Sequence, residues 1–417
     1  MNKKILIHSH TFSPDGVSTA YIYSDIALKF KEEGYIVSVL TSTPHYNVIK
    51  NRLKEQPLKK KWFGLYYESD FQGIKVKHVY QKKYKSTTLR LIGFLYWHIV
   101  SFFIALFEKK IDVILSPSPP LTLGFLNILI GKIKRAKVIY NVQEIYPDLL
   151  IKQKGLHSKS IISLLQKMEQ IVYNSSDAVT TIDQIFYDTI INRFKDSSKL
   201  HIIPNFVGTD IYHPINPLAL NINKQLFPET SSLKLMYAGN IGYAQDWQLL
   251  IELAEEQKNE QIEFFIIGEG VMNEYLKNET KKRKLDKIHI LPYQPRELMP
   301  SLLAYSDIQF IFMSPETERD GFPSKVYTIM ACARPLLVCS GYDTPIVNFL
   351  SDKDCAYIIT EKDIKKKVEN AASILRNISS DDLIIKGKRG YDHIINNYTK
   401  HIIANKYVNL VDKLLDS

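Results

Sequence analysis

Short apolar runs bounded by turn residues alternate with longer stretches of helical period almost from one end of the chain to the other, which is the pattern of parallel βαβ units. Residues 4–8, 37–41, 74–79, 113–116, 137–141, 178–182 and 201–204 read as buried strands, and a second series follows at 234–238, 263–267, 288–292, 308–313, 336–339 and 356–359. Strands buried on both faces are near-continuously apolar, as these are. The fold class is therefore α/β. Two runs of strands with helices between them predict two doubly wound sheets, with ligands at the carboxyl ends of the strands and a working cleft between two facing sheets. The break is expected near residues 204–217, where Pro204, Gly208, Pro214 and Pro217 interrupt a segment without clear period.

The segment 91–107 fits less simply. Only Gly93, His98 and Ser101 weakly interrupt its apolar character, and Arg90 on one side and Glu108, Lys109 and Lys110 on the other close it off. A spanning helix needs about 20 apolar residues. Three readings stay open: a spanning helix, a core crossover helix of the first sheet, or a helix that packs on the sheet with one face and touches lipid with the other. The last is favoured by Trp62, Phe63, Tyr66, Tyr67 and Trp97 lying among Lys59, Lys60, Lys61, Lys82, Lys83, Lys85 and Arg90. Aromatic and basic side chains together suit a headgroup layer.

Charge sharpens this picture. The net charge of +10 is uneven: residues 1–200 hold 29 Lys+Arg against 16 Asp+Glu, and residues 201–417 hold 25 against 28. Residues 51–90 alone carry 11 basic and 3 acidic side chains and should seek an anionic partner. No recognisable nucleic-acid module accompanies them, so nucleic acid is not the expected partner. At 417 residues, 45% hydrophobic and 24% charged, the chain suits two or three globular domains and excludes collagen-like, disordered and multi-span membrane classes. Cys332, Cys339 and Cys355 make neither a disulfide framework nor a C-x-x-C zinc site. The apolar run at Ile5–Ile7 is too short for a signal peptide, so a reducing cytoplasm is the expected compartment.

Several constellations could carry chemistry. The loop 13–19 around Gly16, between a strand and a helix, could offer backbone N–H groups to an anion. Tyr237-Ala238-Gly239-Asn240-Ile241-Gly242 repeats that logic at the first strand of the second half. Gly-x-Gly-x-x-Gly and the Walker phosphate loop are both absent, which argues against dehydrogenases and P-loop enzymes. Asp320-Gly321-Phe322-Pro323-Ser324-Lys325-Val326 enters a helix with a lysine in its first turn. The helix dipole disfavours a cation there, and an anionic ligand would explain it. Gln143-Glu144 follows a strand on the side where active-site loops lie, with helix capping the competing reading. His8 and His10 share a strand face at a spacing that could bind metal, but without a third ligand packing is favoured.

The order of these motifs resembles the retaining glycosyltransferases of family 4. The marks are the Gly16 loop, Gln143-Glu144-Ile145-Tyr146-Pro147, Ile203-Pro204-Asn205-Phe206-Val207 with Asp210 and Pro214, the Tyr237–Gly242 segment, Ile267-Gly268-Glu269-Gly270, and Pro323-Ser324-Lys325 through Met330-Ala331-Cys332-Ala333-Arg334-Pro335. More narrowly, they look like the L-fucosamine and colanic-acid transferase branch of bacterial surface polysaccharide assembly.

The resemblance implies a GT-B fold of two facing Rossmann-like domains. Residues 1–205 would form an acceptor-binding domain and residues 206–390 a nucleotide-sugar-binding domain, with a C-terminal helix over 391–417 packing back on the first. It further implies retaining, metal-independent transfer from a nucleotide diphosphate sugar, with UDP favoured. The acceptor would be a lipid-linked sugar or glycan of capsule, O-antigen or exopolysaccharide synthesis, and the enzyme would sit peripherally at the inner membrane through residues 51–110. No cofactor is implied beyond the donor itself. A nucleotide-sugar 2-epimerase of the same fold is the alternative.

Aligned on the family's Glu-x7-Glu motif, Asp320 takes the first acid's place and Thr328 the second's, while Asn240 and Gln245 stand where an Arg and a Lys are common. Lys325 is then the expected neutraliser of the diphosphate, helped by amides around Ser324, Gly16 and Gly242. Gln143 stands where a His near the donor sugar is often found, and Glu144 is the expected general base. Phe322, Pro323 and Val326 complete the donor loop, and Tyr293 and Gln294 are placed to meet the base.

Overall fold

The structure is a computed structural model that describes residues 3–416 other than Lys85, Leu156 and Asp320, and only the backbone of 152–154. The chain divides into two compact units, residues 1–205 with 400–417 and residues 206–399. The expected domain end at 390 thus moves to 399.

The N-terminal unit is built on a nine-stranded sheet. Its strands are β1 (Lys4–His8), β2 (Ile36–Ser42), β3 (Lys59–Lys61), β4 (Tyr66–Phe71), β5 (Ile74–Val79), β6 (Val113–Pro117), β7 (Lys137–Val142), β8 (Ala178–Thr181) and β9 (Leu200–Ile202). They lie in the order β3-β4-β5-β2-β1-β6-β7-β8-β9. β1 is central and parallel to both neighbours, with Ile5 opposite Val37 on one side and Val113 on the other. That placement explains its apolar run, since Ile5, Leu6 and Ile7 are wholly buried. β3 and β4 were not expected. They form an antiparallel extension onto β5, Lys59–Lys61 are exposed throughout, and no apolar run marks them. Their pairing is set by the neighbouring edge rather than by burial.

The helix Thr87–Leu106 crosses from β5 to β6, so the crossover reading holds for its inner face, where Trp97, Val100, Ser101, Ile104 and Ala105 are buried. Leu91, Ile92, Leu95, Ile99 and Phe103 on its other face are each about half exposed or more. The helix is long and apolar enough to cross a membrane, yet only 28% of its apolar window is buried within the protein.

The C-terminal unit carries a six-stranded parallel sheet: β10 (Leu233–Ala238), β11 (Ile262–Ile267), β12 (Ile288–Leu291), β13 (Ile308–Phe312), β14 (Leu336–Cys339) and β15 (Ala356–Ile359), in the order β12-β11-β10-β13-β14-β15. The order reverses beside β10, which places a topological switch point, the usual ligand position, at its carboxyl end.

The helix expected from 391 onward is two helices, Ser380–Asn397 in the C-terminal unit and Lys400–Asp416 in the N-terminal one. The second packs on Ser18–Glu32, and its Tyr407 hydroxyl accepts a 3.0 Å bond from the Asn141 amide.

Candidate functional site

The C-terminal unit carries most of the expected donor residues in the segments that follow β10, β12 and β13. Leaving β10, Gly239 takes φ +153, a backbone that L side chains rarely adopt, and donates its N–H to the Ile267 carbonyl at 2.9 Å. The loop after β11 packs directly on it. A Cβ at Gly268 would stand 1.9 Å from the Gly239 carbonyl oxygen, and one at Gly270 would stand 2.1 Å from that of Ile241. The glycines therefore let two loops meet backbone to backbone, forming a floor at the switch point.

Lys325 lies over this floor. It begins the helix Lys325–Ala331 and sends its Nζ to 3.6 Å from the centroid of the Tyr237 ring. A Cβ on Gly239 would come within 2.5 Å of that Nζ. Tyr237 is fixed by donating from its hydroxyl to the Asn240 carbonyl at 2.8 Å and by edge contact with Trp247. No carboxylate or hydrogen-bond acceptor among the described residues pairs with the ammonium, and burial lowers its pKa from 10.5 to about 7. A cation held against an aromatic face at a switch point is equipped to bind an anion. Sequence reasoning found Lys325 but missed the platform role of Tyr237, although the tyrosine two positions before Gly239 was there to read.

Other expected donor residues divide between loop and core. Gly242 accepts at its carbonyl a 2.7 Å bond from Trp247 Nε1, and the Asn240 side chain lies over its Cα. Gln245, standing for the absent cation, is turned inward: its backbone bridges to Met313 and its Oε1 is buried without a partner. Tyr293 is exposed after β12, and Gln294 donates from its side chain to the Pro292 carbonyl at 3.1 Å. Ser324 is exposed at the helix start. Pro323 accepts the Val326 N–H at 3.0 Å. Val326 is corrected to a packing role, because its side chain is wholly buried and its amide is used within the turn. Phe322 likewise packs on Tyr327 and Phe349, with centroids 5.1 and 4.9 Å away. Thr328 donates its hydroxyl to the Lys325 carbonyl at 2.8 Å. Asp320 lies outside the described residues, but Glu318, two positions earlier, accepts the Gly341 N–H at 2.7 Å and ties this segment to the end of β14.

In the N-terminal unit, the expectation for Gly16 is corrected. Its N–H donates to the Asn47 carbonyl at 2.9 Å, and a Cβ there would meet Ile49 at 2.6 Å. Asp15 causes this closure, its carboxylate accepting the N–H groups of His45, Tyr46 and Asn47 at 2.8–3.1 Å. Gln143 is also spent on structure: its amide donates to Asn141 Oδ1 at 2.7 Å and exchanges bonds with the Asn205 amide at 3.0 and 2.9 Å. Glu144 accepts from the Tyr146 hydroxyl at 3.3 Å.

His8 and His10 serve packing. His8 Nδ1 meets Asn127 Oδ1 at 2.7 Å, Trp97 lies edge-on to His10 at 4.9 Å, and burial lowers both imidazole pKa values to about 3. Asp352-Lys353-Asp354 has the Asp-x-Asp spacing that can hold a metal, but cations already engage it: Asp352 meets Lys353, and Asp354 meets Lys386 and Arg389.

Comparison with known proteins places this geometry. Residues 220–390 match the family of glycosyl transferases group 1. WcaI of Escherichia coli K12, named for colanic acid biosynthesis glycosyl transfer, is 23% identical over 345 residues, covering 79% of this chain and 81% of its own. WbjE of Pseudomonas aeruginosa, named as a glycosyltransferase, is 22% identical over 74% of this chain and 76% of its own. The crystal structure of HepE from Anabaena in complex with UDP superposes with a TM-score of 0.70 at 12% identity, over 98% of this chain and 100% of that one. The fold is GT-B, and within it the C-terminal unit carries the stretch that matches the group 1 glycosyl transferase family.

Proposed function

We propose that this protein transfers a sugar, with retention and without a metal, from a nucleoside diphosphate sugar to a lipid-linked acceptor of bacterial surface polysaccharide synthesis at the cytoplasmic face of the inner membrane. The observation that carries it is the Lys325 ammonium, held over Tyr237 and Gly239 with no anionic partner among the described residues. Breaking a glycosyl–phosphate bond develops negative charge on the departing diphosphate, and a preorganised cation stabilises that charge most where water is excluded. Tyr293 and Gln294 lie at the neighbouring strand end, suited to a nucleobase. UDP is the favoured carrier, supported by the UDP complex of the HepE fold neighbour. Glu144 of the N-terminal unit is the candidate base for the acceptor hydroxyl, and Asp320 of the C-terminal unit the candidate partner of the donor sugar. The half-exposed stripe of the helix Thr87–Leu106, with the basic residues before it, supports a membrane-borne acceptor.

The test is titration with UDP and uridine. Lys325→Ala should weaken UDP binding far more than uridine binding, and equal effects would remove Lys325 from the phosphate site. Purified protein should release UDP only when a lipid-linked sugar is supplied. Conversion of the donor with no acceptor would instead indicate a 2-epimerase.

A further inference from the structure

We infer that the hairpin tip Trp62–Gly64 is a wedge that inserts into an anionic lipid bilayer. The inference deepens the membrane part of the reading above and is independent of the sugar-transfer part. The tip joins β3 to β4. Trp62 and Phe63 have φ of +45 and +54, followed by Gly64 at +98. Two large aromatic residues in the left-handed region are strained, and such strain persists where it serves a purpose other than packing. Here it serves no packing, because the Trp62 side chain is 68% exposed and Phe63 fully so. The conformation instead turns both rings outward.

The mounting is firm and the surroundings are those of a lipid interface. β4 pairs with β5 along its whole length, so the tip stands on the edge of the main sheet. Immediately beneath it, the Tyr96 hydroxyl donates to the Leu65 carbonyl at 3.5 Å, which joins the tip to the exposed apolar stripe of the helix Thr87–Leu106. Lys59, Lys60 and Lys61, all exposed, precede the rings. Apolar rings flanked by cations match an acyl boundary under anionic headgroups, and this charge complementarity favours a bilayer over a protein groove.

The protein carries its own reporter. Of its three tryptophans, Trp97 and Trp247 are buried and Trp62 alone is exposed. Adding phosphatidylglycerol-containing vesicles should shift the emission to the blue, and brominated lipid should quench it. Trp62→Ser with Phe63→Ser should lower vesicle partitioning at least about tenfold, and Phe63→Ser alone should weaken the blue shift and quenching of the retained Trp62. The double variant should leave the thermal shift produced by UDP unchanged, which shows that the fold is intact. Unshifted emission from vesicle-bound protein, wild-type partitioning of the double variant, or equal binding to pure phosphatidylcholine would each overturn the wedge. If UDP leaves the wild-type protein unstabilised while brominated lipid still quenches Trp62, the transferase reading falls and the wedge stands.

Discussion

The Lys325 ammonium sits 3.6 Å from the centre of the Tyr237 ring, in a position that a Cβ on residue 239 would crowd to 2.5 Å. The cation comes from a helix start and the ring from the end of β10, so the contact fixes the loop before Val326 against the sheet. It also leaves the charge partly desolvated before any ligand arrives.

That desolvation predicts a pH dependence. In the free protein Lys325 titrates near 7, because burial disfavours the charged form. A bound diphosphate supplies the opposite charge and raises that pKa, so above pH 7 binding takes up a proton. Affinity for UDP should therefore be greatest near and below pH 7 and fall by up to about tenfold per unit as pH rises further. Folding stability moves the other way: the folded pKa lies below the unfolded value, the unfolded chain binds more protons between about 7 and 10.5, and stability rises with pH across that window. Calorimetry in buffers of different ionisation heat reads the proton directly. Lys325→Arg, which stays charged, should flatten the affinity profile, and an unchanged slope in that variant would assign the proton elsewhere.

A glycine in the floor and one outside it should respond differently to a methyl group. Gly268→Ala places a Cβ against the Gly239 carbonyl, a backbone atom that cannot move aside, and Gly268 itself has φ +148. The expected cost exceeds about 2 kcal/mol, and UDP binding should be lost with it. Gly321→Ala meets no atom within 4 Å and should change stability by less than about 0.5 kcal/mol. Denaturant melts of the two variants make the comparison, and similar stabilities would show that the two loops do not pack as described.

Much of the fold was legible in the sequence because strands buried on both faces must be apolar throughout. β1 and β10 needed no other signal. β3 and β4 escaped because an exposed antiparallel edge carries lysines and isolated aromatics rather than an apolar run. The site was legible in part. Lys325 stood out through its unfavourable place in a first helical turn, whereas the fate of Gly16 depended on Asp15 capturing three amides of residues 45–47, far along the chain. The packing of Val326 and Phe322 could not be read for a similar reason, since a loop motif does not reveal which of its side chains face inward.

The paired amides of Gln143 and Asn205 predict a structural effect without a binding one. Gln143→Leu would strand the Asn205 amide and remove a donor from Asn141 Oδ1, which also accepts from Tyr23. A loss of about 1–3 kcal/mol follows from the unsatisfied groups. UDP affinity should stay at the wild-type value, measured at a temperature where the variant remains folded. Weakened UDP binding in a folded Gln143→Leu protein would instead give Gln143 a place beside the donor.

The basic strand ahead of the hairpin tip predicts a separable electrostatic contribution. A lysine near an anionic surface contributes about 1 kcal/mol, so Lys59→Gln, Lys60→Gln and Lys61→Gln together should cost up to about 3 kcal/mol, or roughly a hundredfold in partitioning to phosphatidylglycerol vesicles. Lys61 already lies 3.7 Å from Glu68, so its own share should be the smallest. Raising the salt concentration should weaken the wild-type protein and barely affect the triple variant, because screening acts on the charges and leaves the aromatic rings untouched. UDP affinity should not change, since these lysines pair within the hairpin and form no part of the Lys325 floor. Sedimentation with vesicles across a salt series decides the matter: equal salt dependence in the two proteins would mean that the lysines do not face the lipid.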